Sequence, residues 1–205
     1  MAINRVMNVN EGTDLYEEIK RNVDAKSEDD LIIVARAESN RKADEISPVA
    51  VKNGIYFYLA YKIGIGLAFL NSYTQEQVNK AIENTVAEAR FMDTPSSPLD
   101  FDSFFDSPMK KLSEIGELSP MTPLTCREKV NGAGILFCSE YLREVREKFG
   151  NFYILPSSIH EVLLVPDNEI VNIDVLTSIV QDVNANEVSE NDYLADRAFT
   201  IDEWL

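Results

Sequence analysis

Apolar side chains near the start of the chain follow a helical spacing and then form a continuous run. Leu15, Ile19 and Val23 fall four positions apart, which predicts a helix that Asn10 caps. The β-branched run at 31–35 predicts a strand covered on both faces, because no polar residue interrupts it. The front of the chain therefore combines a helix with a buried strand.

The next apolar stretch is rich in aromatic residues. Residues 55–61 predict a strand, and the apolar residues that continue over 63–70 predict that it leads into a buried helix. Thr74 and Gln77 have the spacing of a capping box, and an apolar stripe follows them. We therefore expect an amphipathic helix over 74–91.

Prolines change the pattern between residues 93 and 123. Five of them fall there, among serines and acids, at positions 95, 98, 108, 120 and 123. Because proline fixes φ and removes a backbone donor, this stretch is not expected to form a regular strand or a long helix. It predicts a connection held to the surface by the phenylalanines at 101, 104 and 105.

The last third of the chain alternates short strands with helices. Strands are predicted at 133–137, 152–155, 162–165 and 198–201, and helices at 139–149, with Ser139 as the cap, and 172–183. The order predicts an α+β fold with a mixed, largely antiparallel sheet and helices on one side, as one unit or as two lobes. The predicted domains are an N-terminal α/β lobe (1–91), a Pro-rich acidic connection (92–123) and a C-terminal α+β lobe (124–205).

Charge excludes several classes of function. The 205 residues hold 35 acids and 19 Lys and Arg, a formal net charge of −16, so phosphates of nucleic acid and anionic lipid are repelled. No apolar run approaches the about 20 residues that a membrane span needs. The residues after 160 hold 11 acids against the single base Arg197. The C-terminal part is therefore expected to carry an acidic face that attracts a basic partner.

The segment ILPSSIHEV, within residues 152–167, resembles the signature of an uncharacterised family of bacterial proteins from Firmicutes, many from gut Clostridia. The GAGILF strand at 132–137 and the helix ending in VNANEV at 183–188 stand in a similar order. The resemblance covers about residues 120 to 200. It implies a cytoplasmic protein of bacterial or phage-borne origin and assigns no catalytic residue.

Candidate chemistry is sparse. Ser157, Ser158, His160 and Glu161 lie within five residues, where a serine, a base and an orienting acid cannot line up in series, so a tight bend is expected instead. The glycine pairs at 64/66 and 132/134 lack the rest of a phosphate-binding motif and predict close packing. Cys126 and Cys138 match no metal or redox motif and are expected to be buried free thiols in a reducing cytoplasm. No metal and no cofactor is implied.

Two main classes of function remain. The first is a non-enzymatic interaction protein whose acidic face binds a basic protein surface, in its narrower form a nucleic-acid mimic that inhibits a nucleic-acid-binding defence protein. The predicted partner-binding residues are Asp174, Asp182, Glu187, Glu190, Asp192 and Asp196. The alternative is a hydrolase-like enzyme with a pocket near Ser158 and His160, helped by Tyr56 or Tyr58. A structural or dimerising protein is a third possibility.

Overall fold

The fold is given by a computed structural model, which describes residues 21, 26–39, 46–63, 66–92, 108–156, 158–168 and 171–205. The predicted helix after Asn10, the phenylalanines at 101, 104 and 105, and Ser157 lie outside the described residues.

The first sheet is built around one long strand. Its strands are β1 (Leu31–Arg36), β2 (Ala50–Lys52), β3 (Ile55–Ile63) and β4 (Gly66–Phe69). β1 pairs with β3 along its whole length, while β2 and β4 pair with the two ends of the other edge of β3, all antiparallel. Asn53 and Gly54 join β2 to β3 with positive φ angles of 55° and 78°, as a two-residue type I′ hairpin requires.

The second sheet has six strands. They are β5 (Ala89–Met92), β6 (Met109–Lys110), β7 (Thr122–Cys126), β8 (Phe152–Leu155), β9 (Glu161–Pro166) and β10 (Phe199–Thr200). Their order is β10-β8-β9-β7-β5-β6, and every pairing is antiparallel. The predicted pairing of the strands at 152–155 and 162–165 is confirmed, as is the α+β class.

Three α-helices whose ends both fall within the described residues accompany the sheets. They are α1 (Gln75–Glu88), α2 (Ser139–Phe149) and α3 (Ile173–Asn186). The capping box predicted for α1 is present, since Thr74 Oγ1 accepts from the Gln77 N–H and the Gln77 side chain accepts from the Thr74 N–H. α2 ends at Gly150 as predicted, but Ser139 is its first helical residue and the N-cap is Cys138, whose side chain makes no capping hydrogen bond.

Two predicted elements are wrong. Residues 66–69 form β4 instead of a buried helix. The chain reverses direction after β3, and β4 pairs antiparallel with the end of β3, with Gly66 opposite Ile63. Residues Gly132–Phe137 form a 3₁₀ helix instead of a strand, because the Gly132 and Ala133 N–H groups donate to the carbonyls of His160 and Ile159 just before β9. Tertiary contacts decide both segments.

Glycine allows this 3₁₀ helix to press against the sheets. A Cβ at Gly134 would lie 1.9 Å from the Ile33 carbonyl oxygen, and one at Gly132 would lie 2.6 Å from the Cys126 nitrogen. Both distances are far below any van der Waals contact. The predicted close packing of this glycine pair is therefore confirmed.

The Pro-rich connection is more ordered at its end than predicted. Pro123 lies inside β7, opposite Leu163 of β9. β5 pairs with β7 only from Leu124 onward, so Pro123 lies where β7 has a single neighbour and its missing N–H breaks no ladder on the other edge.

The two sheets share one apolar core. A single cluster of buried residues includes Leu59 of β3, Leu124 of β7 and Phe152 of β8, and Trp204 is fully buried in it. A second cluster lies on the opposite face of β8 and β9, where Leu176 and Val180 of α3 pack. The predicted division at residues 91 and 123 stays a prediction, but apolar contacts cross it.

Cys138 is buried, as expected, while Cys126 is half-buried and its thiol donates to the Val130 carbonyl. No described helix is long and apolar enough to cross a membrane.

Candidate interaction surface and the neighbouring histidine cluster

The six predicted partner-binding residues lie on α3 and on the loop that follows it. Asn172 begins the helix, since its side chain accepts from the Asp174 N–H. Asp174, Asp182, Glu187, Glu190 and Asp196 are exposed, and Asp192 is half-buried. We call these six residues the acidic surface.

Five members of the acidic surface have no cationic partner among the described residues. Arg197, the single base after residue 160, donates to the Glu203 carboxylate at 2.8 Å. Arg146 of α2 pairs with Asp202 at 2.8 Å. The nearby arginines thus neutralise carboxylates outside the acidic surface and leave its own charges uncompensated.

The end of α3 carries the charge that a helix end disfavours. Its last turn holds no base, and Glu187 is its C-cap residue. A negative charge near a helix C-terminus opposes the macrodipole and costs about 0.3–1 kcal/mol. Asp182 and Glu187 therefore do not stabilise the helix on which they lie.

An apolar groove of about 560 Å³ lies along the N-terminal half of α3, where Asp174 belongs to the acidic surface. Val175, Leu176 and Ile179 of α3 form one side, and Met121 and Val165 belong to its remaining lining. Val175 is 57% exposed although it is a large apolar residue. Exposed apolar area of this kind is typical of interaction sites.

Asp192 differs from the other five because it binds the lone histidine. Its Oδ1 lies 3.1 Å from His160 Nε2, and its Oδ2 accepts from the Ser189 hydroxyl. The other ring nitrogen, His160 Nδ1, accepts from the Asn131 N–H at 3.2 Å. With Nδ1 as acceptor, the proton of the neutral ring lies on Nε2 and points at the Asp192 carboxylate.

The serine beside this histidine does not face its ring. Ser158 is buried, and its Oγ accepts from the backbone N–H of His160 at 3.0 Å. This hydrogen bond from the backbone to a serine hydroxyl belongs to the tight bend that the sequence predicted. Burial raises the pKa of the neighbouring Glu161 carboxyl above its ordinary value, against the opposing effects of His160 and the Ser158 hydroxyl. Both imidazole nitrogens are occupied, so this geometry provides no base for a serine nucleophile.

A buried arginine connects the histidine to the first sheet. Arg36, which is 8% exposed at the end of β1, donates from Nη2 to the Asn131 side-chain oxygen at 3.1 Å. Burial lowers the pKa of its guanidinium to about 10, although Asp192 and Tyr58 oppose the shift. Tyr58, a predicted helper of the hydrolase alternative, is itself buried and packs edge-on against Phe69.

Sequence reasoning missed Arg36 and Asn131 in this cluster. They are 95 residues apart, and no local pattern connects them. The one local signal is the left-handed backbone of Asn131, with φ 60°, which suits asparagine better than most residues. Among the described residues, no group of three or more His, Cys, Asp or Glu side chains could hold a metal ion.

Fold and surface together define an α+β protein with two antiparallel sheets and one shared core. Its α3 and the loop after it carry exposed carboxylates without a cationic partner in the described residues. The chain belongs to the family of unknown function DUF5688, whose family model matches residues 17–202. This match confirms the prediction that the chain belongs to an uncharacterised domain family. No curated protein and no solved structure matches the chain significantly.

Proposed function

We propose that this protein acts without catalysis, by binding a basic surface of another protein through its acidic surface. One observation carries the proposal: five of the six carboxylates are exposed, and none of the five has a lysine or arginine partner in the described part of the chain. Exposed charges of one sign raise the rate of encounter with an oppositely charged partner.

The energetics of α3 support the same conclusion. Acidic residues at its C-terminal end disfavour the helix, so stability does not explain them. The adjoining groove offers apolar area that a basic surface with one projecting apolar side chain would cover. Charge would then guide the encounter, and apolar contact would slow dissociation.

The narrower form of the proposal is mimicry of nucleic acid. Asp174 and Glu187 are 13 positions apart, about 20 Å along a helix that rises 1.5 Å per residue. Duplex DNA presents about 12 charges over that length, whereas α3 and its cap present three in our set. This charge density suits a compact basic surface of a partner protein better than the long groove of a nucleic-acid-binding protein. Inhibition of a defence protein by mimicry would therefore require more aligned charge than α3 supplies.

A cytoplasmic, bacterial or phage-borne origin belongs to the same proposal. The chain would meet its basic partner inside the cell, where free thiols such as Cys138 persist. The hydrolase alternative near Ser158 and His160, and a purely structural role, stay predictions, and the occupied imidazole nitrogens do not favour the hydrolase.

The test reverses three charges at the end of α3. In the variant Asp182→Lys, Glu187→Lys, Glu190→Lys, lysines replace acids where the helix dipole favours cations, so the fold should be kept. Proteins retained from a lysate by immobilised wild-type chain should be lost by at least about tenfold on the variant. Their retention by the wild type should also fall steeply as salt rises.

The control reverses three exposed acids elsewhere, Glu76→Lys, Glu83→Lys and Glu117→Lys, and changes the net charge by the same amount. The control should retain the same proteins as the wild type. If both triple variants lose them equally, net charge and not the acidic surface explains binding. If neither loses them, the proposal is wrong.

A further inference from the structure

A second surface of the protein has the opposite charge. At the end of α1, residues of α1, of β5, of segment 111–113 and of α2 line an open cleft of about 480 Å³. Its charged or hydroxyl-bearing aromatic lining residues are Arg90, Lys111, Tyr141, Glu144 and Lys148. We call it the basic cleft, because three cations face one carboxylate there although the chain as a whole carries −16.

Arg90 is the central feature of the basic cleft. It is 7% exposed, and its Nη1 donates to the carbonyls of Ala87 and Ala89 at the end of α1, at 2.9 and 2.7 Å. Within the described residues, no carboxylate lies within 4.0 Å of the guanidinium, and Nε and Nη2 donate no hydrogen bond. These two nitrogens are not among the buried unpaired atoms of the described side chains, so their N–H groups reach solvent and remain free to bind a ligand.

Three neighbours can complete an anion site around it. Tyr141 is 7% exposed. Its burial raises the pKa of the phenol, and the nearby Glu144 carboxylate adds to this effect, so the hydroxyl remains a donor at neutral pH. Lys148 bridges the cleft by donating to the Leu112 carbonyl, which holds segment 111–113 against α2. Lys111 brings a further ammonium group to the lining.

We propose that the basic cleft binds a small organic molecule that carries a phosphate monoester. Three lining cations face Glu144, and the balance stays positive when the Glu114 carboxylate, which accepts from the Lys111 N–H at 2.8 Å, is included; a positive site suits the charge of about −1.5 to −2 on such a phosphate near neutral pH. The planar guanidinium fork suits phosphate oxygens, and the lysines add charge from the sides. Val86 and Leu112 provide apolar wall for the organic part, and the volume is that of a small-molecule site.

This inference is independent of the acidic surface, because no residue of the basic cleft belongs to it. The probe is phenyl phosphate, titrated into the full chain at low salt by isothermal calorimetry. We expect saturable binding at one site with a Kd below about 1 mM, and at least about tenfold weaker binding of benzoate, which carries a single negative charge on the same ring.

Two variants test the site itself. Lys111→Gln with Lys148→Gln should weaken phenyl phosphate binding at least about tenfold, and Arg90→Lys, which keeps the charge but loses the fork, should weaken it severalfold. The matched control Lys80→Gln with Arg127→Gln removes two cations outside the cleft and should bind as the wild type does. Circular dichroism checks that each variant is folded.

Three outcomes would overturn the inference. They are no saturable binding up to about 10 mM phenyl phosphate, equal binding of benzoate, and equal affinity of the lysine double variant and its control. None of these outcomes touches the acidic surface, so the two proposals fail separately.

Discussion

Gly134 offers the sharpest test of how the two sheets are held together. It lies in the 3₁₀ helix Gly132–Phe137, and the nearest atoms to a Cβ built on it belong to the backbone of β1. That Cβ would lie 1.9 Å from the Ile33 oxygen and 2.7 Å from the Ile33 carbonyl carbon. Because both are backbone atoms of β1, which is held along its whole length by β3, no side chain can rotate to make room.

The size of the required movement sets the magnitude. Real Cβ atoms essentially never come within 3.0 Å of such neighbours, so Gly134→Ala must open the gap by at least the difference from 1.9 Å, 1.1 Å. Overpacking in a dense core typically costs about 1–3 kcal/mol and sometimes more. For a backbone displacement of this size we expect the upper end, about 3 kcal/mol, or a Tm lowered by about 6–12 °C for a chain of this length.

The assay is equilibrium unfolding in urea, followed by the fluorescence of Trp204, which is fully buried in the shared core. The matched control is Gly116→Ala, where a Cβ would meet nothing within 4 Å. That substitution should leave stability unchanged or raise it by up to about 1 kcal/mol, since alanine has fewer unfolded conformations. If the two variants unfold at the same urea concentration, the close approach of the 3₁₀ helix to β1 is refuted.

Three further outcomes follow from other parts of the fold. Thr74→Ala should lose the cap of α1 and lower the free energy of unfolding by about 1 kcal/mol, measured in urea, whereas Thr74→Ser should not. Glu161→Gln should raise Tm near neutral pH, because burial raises the folded pKa of this carboxyl and its ionisation therefore opposes folding. That gain should vanish below about pH 4.3, the unfolded value, and a gain that persists there would contradict it. Burial raises the pKa of the Cys138 thiol to about 12, so a thiol reagent at pH 8 should label Cys126 first and Cys138 only on unfolding.

Local sequence patterns predicted the elements whose signals are local. The capping box of Thr74 and Gln77 spans four residues, and the paired strands at 152–155 and 162–165 flank a short bend. The same reasoning missed β4 and the 3₁₀ helix at 132–137, whose conformations depend on β3 and on β9. An apolar run with internal glycines does not indicate whether it forms a helix or a strand, because the backbone groups that it pairs with lie elsewhere in the chain.

The candidate sites divide in the same way. Exposure of Asp174 and Asp182 could be expected from the helical spacing, since Leu176 and Val180 occupy the buried side of α3. The pairing of Asp192 with His160 could not be expected, because it joins a loop after α3 to the residue just before β9. The acidic surface therefore consists of five carboxylates without a cationic partner in the part of the chain that the structure describes, and of Asp192, which binds His160.

The basic cleft could not be predicted from the net charge of the chain, for a physical reason. A charge of −16 governs how the whole molecule meets a polyanion at long range, but at physiological salt the field of exposed charges decays over about 8 Å. A small anion inside a cleft responds to the groups that line it, and there Arg90, Lys111 and Lys148 outnumber Glu144. These residues come from three separate segments, so only the fold assembles their charge. Repulsion of nucleic acid and attraction of a small phosphate ester are thus compatible in one chain, because the first depends on the sum of its charges and the second on their positions.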